Sequence, residues 1–135
     1  MKVTVSRRAH FNAAHRLYRP DWDNKKNILV FGKCSNKNFH GHNYELIVSV
    51  TGEIDAETGY VIDIKYLKDI IKKEIEDYFD HKNLNIELPE FQNLNPTAEN
   101  IVIVIYNRLF KHMKRDHDLE VVLFETPRNF VRYSG

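Results

Sequence analysis

The chain has 135 residues, with 20 Lys and Arg against 19 Asp and Glu. That size fits one domain with a real core, and that balance excludes bulk-charge attraction to nucleic acid, acidic membranes or polyanions. The longest unbroken apolar run, Ile101 to Tyr106, is far short of the roughly 20 residues that cross a bilayer, the opening MKVTVSRRAH lacks an apolar leader, and a single cysteine, Cys34, points to a reducing cytoplasm.

Lys2 to Phe11 alternates, with Val3, Val5, Ala9 and Phe11 on one side, and predicts a half-buried strand. Tyr18 to Asn38, rich in Asp, Asn and Lys around Pro20, reads as a long loop that carries function. His42 to Thr51 predicts the second strand, with His42, Tyr44, Leu46, Val48 and Val50 on one face. Gly52 to Gly59 is a turn. From Ile64 the spacing of Ile64, Leu67, Ile71, Ile75 and Tyr78 predicts a helix capped by Asp63. Thr97 caps a second helix through Ile101, Ile105, Leu109 and Met113. Leu119 to Thr126 and Asn129 to Tyr133 close the chain as two strands joined by a tight turn at Pro127 and Arg128. The order predicts a single α+β domain over residues 1–135, a four-stranded antiparallel sheet with both helices on one face. The other face and the edges then lack partners, which assembly would supply.

His40 and His42 lie two apart at the mouth of the second strand, so their imidazoles share a face. In a chain of seven histidines such a pair alone is more often chance than ligand. His15 follows the first strand, and pairing of the two strands would bring it beside the other two. Three histidines with a fourth position left open is the pattern of catalytic zinc. Cys34 reads as a small buried filler, or, near a metal, as a thiolate. Asp80 beside His81 reads as a solvated helix end or as a general acid and base. Glu125 ends the third strand on the face of Leu119, Val121 and Leu123; it either points inward and needs a ligand or has already turned to solvent. His10, His112 and His117 read as surface residues.

Taken together, Phe11-Asn-Ala-Ala-His15-Arg16-Leu17, Phe31-Gly-Lys-Cys34, His40-Gly-His42-Asn-Tyr44, Gly52-Glu-Ile-Asp55, Asp80-His81-Lys-Asn-Leu84, Pro96-Thr97-Ala98-Glu99-Asn100 and Phe124-Glu125-Thr126 closely resemble the 6-pyruvoyl-tetrahydropterin synthase family, from about Arg7 to Gly135. The resemblance implies the tunnelling fold, in which sheets of several subunits join into a barrel, usually as a hexamer of two stacked trimers. It implies zinc on His15, His40 and His42, a proton-transfer group of Cys34, Asp80 and His81 that meets the metal across a subunit boundary, and Glu125 as the anchor of the pterin ring. Thr97 and Glu99 match the family's pterin-pocket segment, although Ala98 stands where many members have a second threonine. The implied substrate is 7,8-dihydroneopterin triphosphate, with Lys33, Lys37 and Lys82 candidates for holding its phosphates.

Two branches share that substrate. One forms 6-pyruvoyl-tetrahydropterin with release of triphosphate; the other forms 6-carboxy-tetrahydropterin for queuosine and related deazapurines and also releases acetaldehyde. The five residues between Cys34 and His40 resemble the pyruvoyl branch, whereas Phe39 occupies a place where pyruvoyl enzymes often carry glycine. The rival readings are a non-catalytic metal-binding module, with a faint likeness to the first cupin motif in Gly32, His40, His42, Glu45 and Gly52, and a zinc-free pterin scaffold. The helices in mid-chain and the intact histidine set count against both.

Overall fold

A computed structural model describes all 135 residues. Strand β1 (Lys2–His15) and strand β2 (His40–Glu53) pair antiparallel over their whole length, with His15 opposite His40, Ala13 opposite His42 and Phe11 opposite Tyr44. β2 also pairs with β4 (Asp118–Phe124), which pairs with β5 (Phe130–Tyr133). The predicted antiparallel sheet is therefore present, and it gains a fifth strand: β3 (Lys82–Asn83) lies parallel to β1 at Ala13 and Ala14. Two residues of strand carry no readable alternation.

The predicted loop before β2 contains helix α1 (Asn24–Phe31), capped by Asp23 and closed by Gly32 at φ +59°, then a 3-10 turn over Gly32–Ser35. Asn27, 3% exposed, organises it by accepting from the Arg19 amide and donating to the Arg19 and Asp23 carbonyls. After β2 come α2 (Ile64–Ile71), a π-turn (Lys72–Glu76), α3 (Asp77–Phe79), α4 (Leu84–Glu87) and α5 (Ala98–Phe110). Asp63 and Thr97 cap α2 and α5 through their side-chain oxygens, as predicted.

One face of the sheet carries the core. Phe11, Ala13, Tyr44, Leu46, Val48, Val121 and Leu123 meet Leu67, Ile71, Ile75 and Phe79 from the α2–α3 segment and Ile101, Ile105 and Leu109 from α5. The predicted apolar face of the first helix holds at Leu67, Ile71 and Ile75 but not at its ends. Ile64 is 58% exposed, and Phe79, not Tyr78, is fully buried, because the π-turn inserts a residue and shifts the phase of everything after it. On the opposite sheet face, Thr4 bonds Thr51, Ser6 bonds Ser49, and Asn12 Nδ2 donates to Asn43 Oδ1, all exposed.

Candidate metal centre and active site

The register of β1 and β2 builds the centre. His15 and His40 are cross-strand partners and His42 follows two residues on, so all three rings rise from the core face at one end of the sheet. Ala13, opposite His42, is small enough to leave room for the ring. The three ring centroids form a near-equilateral triangle with sides of 4.6, 5.0 and 5.1 Å. Beneath them Tyr44 stacks on Phe11, which packs on Phe79, so the histidines stand on an aromatic floor.

One ligand atom from each histidine lies within 4.8 Å of the other two, and His15 Nε2 is 3.0 Å from His40 Nε2. Nitrogens at about 2.1 Å from one ion in tetrahedral array stand roughly 3.4 Å apart, so the set fits a divalent metal. Two further features agree. The buried Nε2 of His42 has no hydrogen-bond partner, and an unpartnered buried nitrogen is costly unless an ion takes its lone pair. His15 Nδ1 donates to the Pro96 carbonyl at 2.8 Å, which fixes the tautomer and turns the Nε2 lone pair toward the other two rings. Burial, and then the neighbouring His40 and His42, push the His15 pKa down to about 4 despite the Pro96 bond. Burial likewise lowers His40, followed by the charge of His42. Imidazoles kept neutral are the form that binds metal.

Cys34, half-buried, sits in the 3-10 turn that follows α1. The Leu17 amide donates to the Cys34 carbonyl at 2.8 Å and Arg16 Nε donates to the Ser35 carbonyl at 2.8 Å, fastening the 3-10 turn beside the end of β1. Glu125 directly follows β4, whose last register pair is Glu45 with Phe124, and its amide donates to the Asn129 carbonyl. Burial, then the nearby Glu125 and Cys34 side chains, raise the Tyr44 phenol well above its ordinary value. Both side chains are thus within electrostatic reach of the floor under the histidines. Thr97 caps α5 by accepting from the Asn100 amide, Glu99 lies in the first turn, and Pro96 just before them orients His15.

Asp80 and His81 stand apart from this group. Asp80 Oδ1 accepts from the Asn12 amide, its Oδ2 bonds His81 Nδ1 at 2.7 Å, and the His81 amide donates to the Asn12 carbonyl. These bonds strap the couple to the edge of β1 opposite β2, with the His81 side chain 83% exposed. The Asn12 and His81 bonds hold the Asp80 carboxyl below its ordinary value. His81 has φ +58° and Phe39, just before His40, has φ +64°, conformations that glycine adopts freely and other residues adopt at a cost. Lys82 lies on β3 beside the couple, whereas Lys33 and Lys37 line one cavity with Arg16.

The sequence reading missed three parts: the Pro96 carbonyl behind His15, the Tyr44 floor and the Asn12 strap. His112 and His117, read as surface residues, are half-buried and bonded, to Glu74 and to the Val61 carbonyl respectively. Their partners are 38 and 56 residues away in sequence, beyond the reach of local pattern.

The family described as 6-pyruvoyl tetrahydropterin synthase matches residues 4–135. The chain is 43% identical to the 6-pyruvoyl tetrahydrobiopterin synthase of Pongo abelii over 134 residues, covering 99% of this chain and 92% of that protein. It is 34% identical to the 6-carboxy-5,6,7,8-tetrahydropterin synthase of Haemophilus influenzae, covering 96% of each. The solved 6-pyruvoyl tetrahydropterin synthase of Caenorhabditis elegans superposes with a TM-score of 0.93 at 36% identity, over 100% of this chain and 96% of that one.

Proposed function

The chain belongs to the 6-pyruvoyl tetrahydropterin synthase family, and we propose that it is a zinc enzyme converting 7,8-dihydroneopterin triphosphate to 6-pyruvoyl-tetrahydropterin with release of triphosphate. The observation that carries this reading is the three-histidine cradle with an unpartnered buried nitrogen, flanked by one cysteine and one carboxylate in the family's order. His15, His40 and His42 hold the zinc. Bound there, zinc supplies Lewis acidity that makes the hydroxyl protons of the substrate side chain easier to remove.

The other steps belong to side chains. The Cys34 thiolate removes a proton from a side-chain carbon, and His81, oriented by Asp80, passes protons to and from the substrate as triphosphate leaves. Oxidation level is exchanged between side chain and ring, so no nicotinamide or flavin is needed. Glu125 accepts hydrogen bonds from the pterin amino group and ring N–H, and Thr97 and Glu99 complete that pocket. For the triphosphate tail, Lys33, Lys37 and Arg16 line a cavity with no carboxylate in its wall, next to the Cys34 turn; Lys82, beside the Asp80–His81 couple, is a further candidate.

We propose a hexamer of two stacked trimers. Residues 2–11 of β1 and the whole of β5 offer unpaired strand edges, which proteins otherwise cover or blunt. The exposed face with its Thr4–Thr51 and Ser6–Ser49 pairs suits a water-lined barrel interior. In that assembly the Asp80–His81 couple, turned away from its own chain's histidines, serves the Cys34 site of a neighbour.

The second reading, a 6-carboxy product, draws on the Haemophilus relative; higher identity to the pyruvoyl enzymes and the five-residue gap favour the first. Zinc-loaded protein incubated with 7,8-dihydroneopterin triphosphate and analysed by mass spectrometry decides. A pyruvoyl pterin with free triphosphate is expected. Acetaldehyde with a 6-carboxy pterin selects the other branch, and no reaction in zinc-containing protein rejects both.

A further inference from the structure

The helical segment that leads to Asp80 is interrupted by the π-turn over Lys72–Glu76. Inside that turn Glu74 is 4% exposed, a buried carboxylate in a wall otherwise made of core. It faces Arg108 of α5 and Lys111 and His112 just after the helix. Arg108 Nη2 lies 3.1 Å and Lys111 Nζ 3.4 Å from Glu74 Oε2, and His112 Nε2 lies 3.2 Å from Oε1. Burial raises the Glu74 pKa, but the bonds to His112 and Lys111 and the charge of Arg108 outweigh it and hold the carboxyl below its ordinary value.

Arg108 also reaches beyond that carboxylate. Its Nε donates to the Glu74 carbonyl at 2.8 Å, and its Nη1 donates to Glu90 Oε2 at 3.1 Å. The guanidinium carbon sits 3.5 Å from the centre of the Tyr78 ring, whose hydroxyl donates to Glu90 Oε1 at 2.6 Å. One planar fork thus grips residues 74, 78 and 90, on both sides of Asp80 and His81 in the chain. An apolar contact could pack α5 on this segment as tightly as a buried ion pair does. What the fork adds is direction at several points. His81, between those points, keeps φ +58°, and a strained residue persists only when its surroundings over-determine it. Asn12 strap bonds supply one side of that constraint.

We infer that Arg108, with Glu74, is a positioning residue for the Asp80–His81 couple, clamping the π-turn so that the strained turn presents His81 in one orientation. The inference rests on the synthase reading, in which His81 transfers protons. It places the clamp between α5, preceded by the Pro96 that orients His15, and the couple that must meet the metal site.

The test compares Arg108→Met, Arg108→Lys and the double variant Glu74→Gln/Arg108→Met, which leaves no uncompensated buried carboxylate and so separates misfolding from mispositioning. Three quantities are read in the assembled protein: zinc content, steady-state kinetics with 7,8-dihydroneopterin triphosphate, and amide hydrogen exchange. The double variant is expected to keep its zinc, to lose about tenfold in kcat with KM nearly unchanged, and to exchange the Asp80 and His81 amides about tenfold faster while those of Leu46 and Val48 in β2 stay as they were. Arg108→Lys should restore part of kcat. Unchanged kcat and exchange at Asp80 and His81, or exchange that rises equally through β2, overturns the inference, the latter by reducing the clamp to general stability. Wild-type protein that does not turn over the triphosphate rejects the synthase reading instead, and the exchange pattern still decides whether the clamp holds the couple.

Discussion

His15, His40 and His42 stand on two strands paired over 14 residues, whereas Asp80 and His81 occupy a strained turn that is strapped to a strand edge from outside. The first region, with His15 buried and His40 and His42 half-buried, is carried by backbone register; its geometry follows once the strands pair. The second is open to solvent and depends on a side-chain fork, on Asn12 and on whatever subunit lies beyond the edge. Metal binding should therefore survive most damage to the couple, while catalysis should not survive damage to either region.

The largest effects come from breaking the cradle. His40→Ala and His42→Ala are expected to lose stoichiometric zinc and all measurable turnover, because two imidazoles cannot fill a three-histidine site. Elemental analysis of the purified variants checks this, and full zinc content in both would remove the assignment. Cys34→Ala and His81→Ala are expected to keep one zinc per chain and fall about 10²- to 10⁴-fold in kcat, the usual worth of a proton-transfer group. Asp80→Asn should cost less than loss of the imidazole it orients. Equal zinc loss in these variants would erase the distinction between the two regions.

The cradle was legible because a period of two leaves a visible trace: His40 and His42 must share a face, and pairing β1 with β2 brings His15 to them. The helices were legible through their caps at Asp63 and Thr97. Less could be read where structure comes from single polar anchors. Asn27 folds α1 inside what looked like a loop, two residues suffice for β3, and the π-turn hides within spacings of three and four that look like one regular helix. The Asp80–His81 pair could be read as chemistry but not as location, since its strap to Asn12 joins residues 68 apart in sequence. The notice taken of Phe39 gains a physical reason: its φ of +64° is a glycine conformation.

Acid should weaken the fold at the cradle. In metal-free protein His15 is held at about 4 against an ordinary 6.5, so between those values the unfolded chain takes up the proton first. The stabilising contribution is present in full above pH 6.5 and is lost as pH falls toward 4. At about 1.4 kcal/mol per unit this amounts to about 3 kcal/mol. Thermal unfolding of apo protein from pH 7 to 4.5 measures it, and the loss should shrink in His15→Gln. No such loss in the apo wild type would show that His15 is not held neutral by burial.

The smallest effect concerns the hinge into the cradle. Phe39→Gly relieves a left-handed conformation worth about 1 kcal/mol, partly offset by the greater freedom of glycine in the unfolded chain. A gain below about 1 kcal/mol in urea unfolding, with zinc content unchanged, is expected. A clear destabilisation would mean that packing of the half-buried Phe39 ring outweighs its backbone.

The division of the site between chains is tested most directly by mixing. Cys34→Ala and His81→Ala proteins, each inactive alone, are dissociated together, reassembled at equal ratio with zinc, and assayed on 7,8-dihydroneopterin triphosphate. If each site takes Cys34 from one chain and the Asp80–His81 couple from its neighbour, random assembly restores both groups in about a quarter of the sites, and turnover should recover to about that fraction of wild type. Mixed oligomers that form and bind zinc but stay inactive would contradict the account, because Cys34 and His81 would then have to act within a single chain.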